Sequence, residues 1–219
     1  MDRAEAGELL ARELVQWRGK RPLIVAIPRG AVPMGKIIAE RLDGELDVVL
    51  TRKLHAPGNP EFAVGAVDET GWTYIADYAE SAGATPSYLE HEIAAELETI
   101  RRRRAWYTPD RAPIDAAGRA VIVVDDGLAT GATMIAALHA MRARGAQQLV
   151  CAVPVASTEA VAKVRAYADE VVCLQTPAFF HAVGQFYRSF PQVGDDEVIA
   201  LLVAASRGPA RGAGDNRQT

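Results

Sequence analysis

Val121-Ile122-Val123-Val124-Asp125-Asp126-Gly127-Leu128-Ala129-Thr130-Gly131-Ala132-Thr133 is the stretch around which the rest of this 219-residue sequence organises. Its unbroken apolar run predicts a strand buried on both faces, as in a parallel sheet. Two carboxylates stand at the strand's C-terminal tip, and a loop of small residues then opens a helix. Successive amides at a helix N-terminus make an anion site, to which the Thr130 and Thr133 hydroxyls can add donors. Gly131 lets the backbone approach a bound group closely. Asp125 and Asp126, one step away, can accept hydrogen bonds from ribose hydroxyls or hold a hydrated Mg²⁺. A sugar phosphate would span both sets. An ordinary turn explains Asp126 and Gly127 by conformational ease alone. It does not explain Ala129, Thr130, Gly131, Ala132 and Thr133 following in place.

Working outward, short apolar runs recur at 23–27, 48–50, 149–153 and 171–174, and each reads as a further buried strand. Between them, 3–18, 33–42, 86–106, 132–144 and 158–168 carry helical periodicity, the first opened by a capping-box pattern of Asp2 and Glu5. Strands alternating with helices predict an α/β, doubly wound, mainly parallel sheet whose ligands sit at the strand C-terminal ends. Residues 1–176 form the expected core. Within it, 54–66, with two prolines and two glycines, reads as a flexible loop. Residues 177–206 read as a small C-terminal hood rich in aromatics, and 207–219 as a frayed tail.

Composition narrows the class. Hydrophobic residues make up 49% and charged residues 24%, enough for a sizeable core without staples. The formal net charge is -4, so no global basic field holds a polyanion, and nucleic acid is not an expected partner. No apolar window has membrane-spanning length and the start lacks a signal-peptide pattern, so no membrane partner and a cytoplasmic location are expected. Cys151 and Cys173 sit in apolar runs and read as buried, reduced thiols.

The signature VIVVDDGLATGAT resembles the phosphoribosyl-pyrophosphate motif of the type I phosphoribosyltransferases. Gly127 stands where an aliphatic residue is commoner. The resemblance continues in order over about 20–175. Ile27-Pro28-Arg29-Gly30-Ala31 resembles the family's pyrophosphate loop, where backbone amides and a strained peptide grip the leaving diphosphate. Thr51-Arg52-Lys53 with the loop after it resembles the flexible loop that closes over the reacting centre. The resemblance implies Asp125, Asp126 and Lys53 as catalytic residues. It implies substrate contacts from Arg29, Gly30, Ala31, Arg52, Ala129, Thr130, Gly131, Ala132 and Thr133. Mg²⁺ is the implied cofactor, held by Asp125 and Asp126 indirectly through ribose or water, and a homodimer is the implied assembly. The implied reaction joins a nitrogenous base to the ribose C1 of phosphoribosyl pyrophosphate with loss of diphosphate. A non-catalytic sensor of phosphoribosyl pyrophosphate or nucleotide, or transfer to an acceptor other than a nucleobase, is the alternative.

Two departures bear on the acceptor. Hypoxanthine-guanine members commonly have an Asp where this chain has Ala129, and a Lys soon after the next strand where it has Val155-Ala156-Ser157. A typical enzyme of that branch is therefore not expected. Glu61 and His55 are the loop groups available for acid-base work. Phe179, Phe180, His181, Phe186, Tyr187 and Phe190 could stack a flat base, although a small core of the hood's own is the plainer expectation. His91-Glu92 begins a zinc-protease pattern that fails at Ala95. Arg101 to Arg104 reads as a solvated helix end, or as a partner subunit's contribution to diphosphate binding.

Overall fold

The computed structural model describes residues 1–109 and 111–206; the expected tail, 207–219, lies outside them. Five parallel strands form the main sheet: β1 (Leu23–Ala26), β2 (Glu45–Val48), β6 (Ala120–Val124), β7 (Gln148–Val155) and β8 (Glu170–Gln175). Their order is β2-β1-β6-β7-β8, so the signature strand β6 is central. Its register pairs Val124 with Ala26 and with Ala152, which aligns the C-terminal ends of β1 and β6 while β7 runs on to Val155.

Helices α1 (Arg3–Glu13) and α2 (Val32–Leu42) cover one face, packing Leu10, Leu14, Met34 and Ile38 against Ile24, Ile122 and Val124. Helices α4 (Ala132–Ala143) and α5 (Thr158–Val164) cover the other, where Ile135, Leu138 and Val164 meet Val25, Val123 and Cys151. Alternate residues of β1 and β6 thus serve opposite cores, which is why those strands read as continuous apolar runs. The doubly wound, mainly parallel α/β fold follows. α1 opens with the expected capping box, Glu5 N to Asp2 Oδ1 at 2.9 Å and Asp2 N to Glu5 Oε2 at 3.0 Å.

The structure corrects several boundaries. The first helix ends at Glu13 and gives way to a 3₁₀ turn at Val15–Trp17. The strand expected at 48–50 is β2, which starts earlier, at Glu45, and ends at Val48; Glu45 and Asp47 disguise it. Asp47 is buried inside that strand because Ile114 N (2.7 Å) and Arg111 (3.2 Å) satisfy its carboxylate.

The loop expected at 54–66 is instead a hairpin of β3 (Thr51–Ala56) and β4 (Asn59–Asp68), with β5 (Thr73–Ile75) as third strand. Pro57 and Gly58, φ +70°, fill its two-residue turn between the paired Ala56 and Asn59. The hairpin packs on α3 (Pro86–Tyr107) through Leu54, Ala56, Val64 and Ile100. Within the expected hood, Asp195–Ser206 is a regular helix, α6, which buries Val198 and Leu202.

Candidate active site

Asp125 and Asp126 leave the tip of β6 and enter a cleft of about 250 Å³. Its lining includes Ile27, Pro28, Lys53, Ala129, Thr130, Gly131, Thr133 and Val183. The helix that follows has Gly131 as its N-cap at φ +82°, a left-handed conformation in which a side chain is strained. The loop is strapped from behind: Ser157 donates to Ala129 O at 2.8 Å, and Leu128 N donates to Val155 O at 3.0 Å. Thr130, Gly131 and Thr133 at the start of α4 therefore line the same cleft as both carboxylates.

The carboxylates are an uneasy pair. Burial pushes Asp125 well above the ordinary aspartate range, and the neighbouring Asp126 charge adds to this. Against it work the Asp126 amide, 2.8 Å from Asp125 Oδ1, and the more distant Lys53 charge. Asp126 is also raised by burial, but Arg3 opposes this with an ion pair at 3.1 Å.

A second cleft, about 340 Å³, lies on the other side of Asp126 and is lined by Arg3, Arg29, Gly30, Phe190, Pro191, Gln192 and Val193. The Pro28–Arg29 peptide bond there is cis. A Cβ on Gly30 would collide with the Asp126 carboxylate, so only glycine lets this loop approach β6. Arg29 pairs with Asp195 at 3.2 Å, and Asp195 also accepts from the Tyr107 hydroxyl.

The structure thus brings Lys53, Asp125, Asp126, Ala129, Thr130, Gly131 and Thr133 to one cleft, with Arg29 and Gly30 at its neighbour. Ala31 is the buried N-cap of α2, and Ala132 the buried first residue of α4; neither side chain carries a functional group. Arg52 points away from the cleft and grips Glu96 of α3, Nε to Oε2 at 2.6 Å. His55 stands 3.5 Å from Glu92 on the same helix. His55, Glu92 and Glu96 are the group among the described residues whose ligand atoms lie close enough for a metal, within 4.8 Å of one another. The Arg52–Glu96 ion pair and the His55–Glu92 contact hold the hairpin to α3. Glu61 is exposed at the hairpin's far end. Arg104 is not a solvated helix end: it pairs with Glu69 at 2.7 Å and donates to Val48 O at 2.9 Å.

Four contributors carried no local sequence signal. Arg3, Tyr107, Val183 and Asp195 come from elements far along the chain. The hood aromatics mostly pack on each other: Phe180 with Phe186 at 5.3 Å, and Tyr187 with Phe190 at 4.7 Å between ring centres. Phe179, 82% exposed, is the exception. Tyr187 donates to Asp126 O at 2.7 Å, tying the hood to the carboxylate strand. Val183 explains Gly127. A Cβ at 127 would lie 2.7 and 2.9 Å from the Val183 methyls, so the hood occupies the space of the missing aliphatic side chain. A larger cleft of about 570 Å³ opens at the opposite ends of the strands, beside Trp17, Arg21 and Arg119, without paired carboxylates or a helix N-terminus.

A parallel sheet carrying paired carboxylates and a small-residue strand-to-helix loop at the C-terminal ends of its strands defines a doubly wound α/β protein with its cleft at that edge. Residues 3–190 match the phosphoribosyl transferase domain, and the chain belongs to the type I phosphoribosyltransferase family. Relatives from two strains of Mycobacterium tuberculosis, provisionally named phosphoribosyl transferases, are 42% identical over 207 residues. The match covers 94% of this chain and 47% of theirs, so the chain spans about half the length of these curated relatives. The crystal structure of TT1426 from Thermus thermophilus is similar at 47% identity and TM-score 0.78, over 93% of this chain and 97% of that one. The AQ2163 protein of Aquifex aeolicus shares the fold, at 13% identity and TM-score 0.50, over 92% and 84% of the two chains. Among the described residues, no helix is long and apolar enough to cross a membrane.

Proposed function

We propose that this chain binds phosphoribosyl pyrophosphate and transfers its phosphoribosyl group to a nitrogenous base, releasing diphosphate. The observation that carries this reading is the single cleft lined by Asp125, Asp126, Lys53 and the 129–131 loop with Thr133. In it, the α4 N-terminus and the Thr130 and Thr133 hydroxyls hold the 5′-phosphate. Asp125 and Asp126 hold the ribose hydroxyls, and Lys53 with the Arg29–Gly30 loop takes the diphosphate. Charge develops at C1 as the diphosphate leaves, and the paired carboxylates and Lys53 act by positioning and electrostatics.

Two adjacent carboxylates are a hard-oxygen donor set suited to Mg²⁺, which takes one or two carboxylates and completes its shell with water and substrate phosphates. Bound there, the metal would supply charge neutralisation to the diphosphate. Asp125 and Asp126 would hold it through ribose or water. The hairpin end beyond Lys53 closes over the site in this reading, and the hood receives the acceptor. Ala129 and Val155-Ala156-Ser157 point away from a typical hypoxanthine-guanine acceptor. A homodimer, on the resemblance alone, and a cytoplasmic location complete the proposal.

Isothermal titration with phosphoribosyl pyrophosphate, with and without Mg²⁺ and then with each common base, tests the reading. Mg²⁺-dependent binding and diphosphate release with one base support it. Asp125→Asn together with Asp126→Asn removes turnover without unfolding the chain; retained turnover overturns the assignment. Binding without turnover for any base favours a sensor or an unusual acceptor.

A further inference from the structure

Arg3 stands 123 positions before Asp126 in the sequence, yet its guanidinium is placed against that carboxylate by several independent contacts. Nη2 donates to Asp126 Oδ2 at 3.1 Å, and Nη1 donates to Pro191 O at 2.6 Å. The guanidinium carbon lies 4.0 Å from the centre of the Phe190 ring. The side chain is only 11% exposed, and its Nε is buried with no partner. The surroundings are equally fixed. The capping box holds the first turn of α1. Arg188 of the hood donates to Glu5 at 2.5 Å, and its amide donates to Met1 O at 2.8 Å.

Asp126 lines both clefts, whereas Arg3 lines only the one on the hood side. The guanidinium therefore grips the carboxylate from behind and leaves the other cleft free for a ligand. A planar fork bonded to a carboxylate and a carbonyl at once, and stacked on a ring, fixes direction as well as charge. Asp125 has no such clamp; it takes the Asp126 amide instead. Around Asp126 stand Arg3 of α1, Lys53 of β3, Arg29 of the loop after β1, Asp125 beside it and Tyr187 of the hood. Arg3 is the side chain among these that bonds the carboxylate oxygen in the structure.

We infer that Arg3 is a positioning residue of the phosphoribosyl site, which aims Asp126 at the ribose and makes the first turn of α1 part of the binding apparatus. The inference deepens the proposed function and rests on it for the identity of the ligand. It concerns a residue outside the signature, the pyrophosphate loop and the hairpin.

The test compares Arg3→Met, which keeps the apolar shaft against Phe190, with Arg3→Lys, which keeps the charge but loses the fork. Ribose 5-phosphate and inorganic phosphate are titrated into each full-length chain. Ribose 5-phosphate touches both the carboxylates and the α4 loop; phosphate needs only the loop. Arg3→Met should weaken ribose 5-phosphate by about ten-fold, as expected for losing one charge-assisted contact's alignment, and leave phosphate unchanged. Arg3→Lys should recover part of the loss. Equal weakening of both ligands would mean general disturbance of the site and would overturn the inference, as would no weakening of either. If the unsubstituted chain binds neither ligand, the proposed function fails separately. A ligand-free double-mutant cycle of Arg3→Met and Asp126→Asn on unfolding then decides: the two should couple by at least about three-fold in the folding constant, and additive effects refute the clamp.

Discussion

Gly127→Ala adds one methyl group at the meeting point of signature and hood. The new Cβ would sit 2.7 and 2.9 Å from the two Val183 methyl carbons and 3.0 Å from Val155 Cγ1. Val155 is fully buried in β7 and has little room to yield, so Val183, on its 3₁₀ turn, must move. Overpacking of this kind costs about 1–3 kcal/mol. Because the backbone at 127 is not left-handed, the cost comes from the collision and not from the dihedral angles. Urea unfolding of four proteins isolates it: the unsubstituted chain, Gly127→Ala, Val183→Ala and the double variant. Val183→Ala removes the two nearest atoms, so Gly127→Ala should be milder in that background by about 1 kcal/mol or more. A cost below about 0.5 kcal/mol, or an equal cost in both backgrounds, would refute the notion that hood and signature compete for this space.

Three further outcomes follow from the site and its supports. Burial raises both Asp125 and Asp126, and the proposed ligand calls for their ionised forms. Protons are therefore released on binding, and Mg²⁺-phosphoribosyl pyrophosphate affinity should rise with pH through a range above the ordinary aspartate titration, then level off. Titration in buffers of different ionisation enthalpy counts the protons; tighter binding at acid pH would contradict this. Gly30→Ala drives a methyl group into the Asp126 carboxylate, so phosphoribosyl pyrophosphate binding should fall by about ten-fold or more; unchanged binding would refute the tight approach of that loop. Asp47→Ala leaves Arg111 and the Ile114 amide without their buried acceptor. It should cost about 3–5 kcal/mol in urea unfolding, and a cost under about 1 kcal/mol would show Asp47 to be dispensable.

Residues 23–26 and 120–124 were legible because strands buried on both faces need apolar side chains at every position, whatever their neighbours. The loop at 129–133 was legible for a similar reason, since its small residues follow one another in a fixed local order. β2 was partly hidden because its Asp47 is paired only after 111 and 114 arrive. Residues 54–66 resembled a loop because Pro57 and Gly58 make the turn, Pro60 sits in an irregularly paired stretch, and Gly65 lies in the central strand where a side chain would meet Tyr74 O. The Pro57-Gly58 turn reads as a hairpin only when Leu54 and Val64 are seen to share a core with Ile100. Local sequence alone thus determined the central strand, its paired carboxylates and the small-residue helix start, since these are made by neighbours along the chain. Tertiary structure decided that Arg3 clamps Asp126, that Asp195 holds Arg29 and that Val183 fills the place beside Gly127. Those contacts join segments between 56 and 166 positions apart, and no local periodicity encodes which distant side chain a fold brings near.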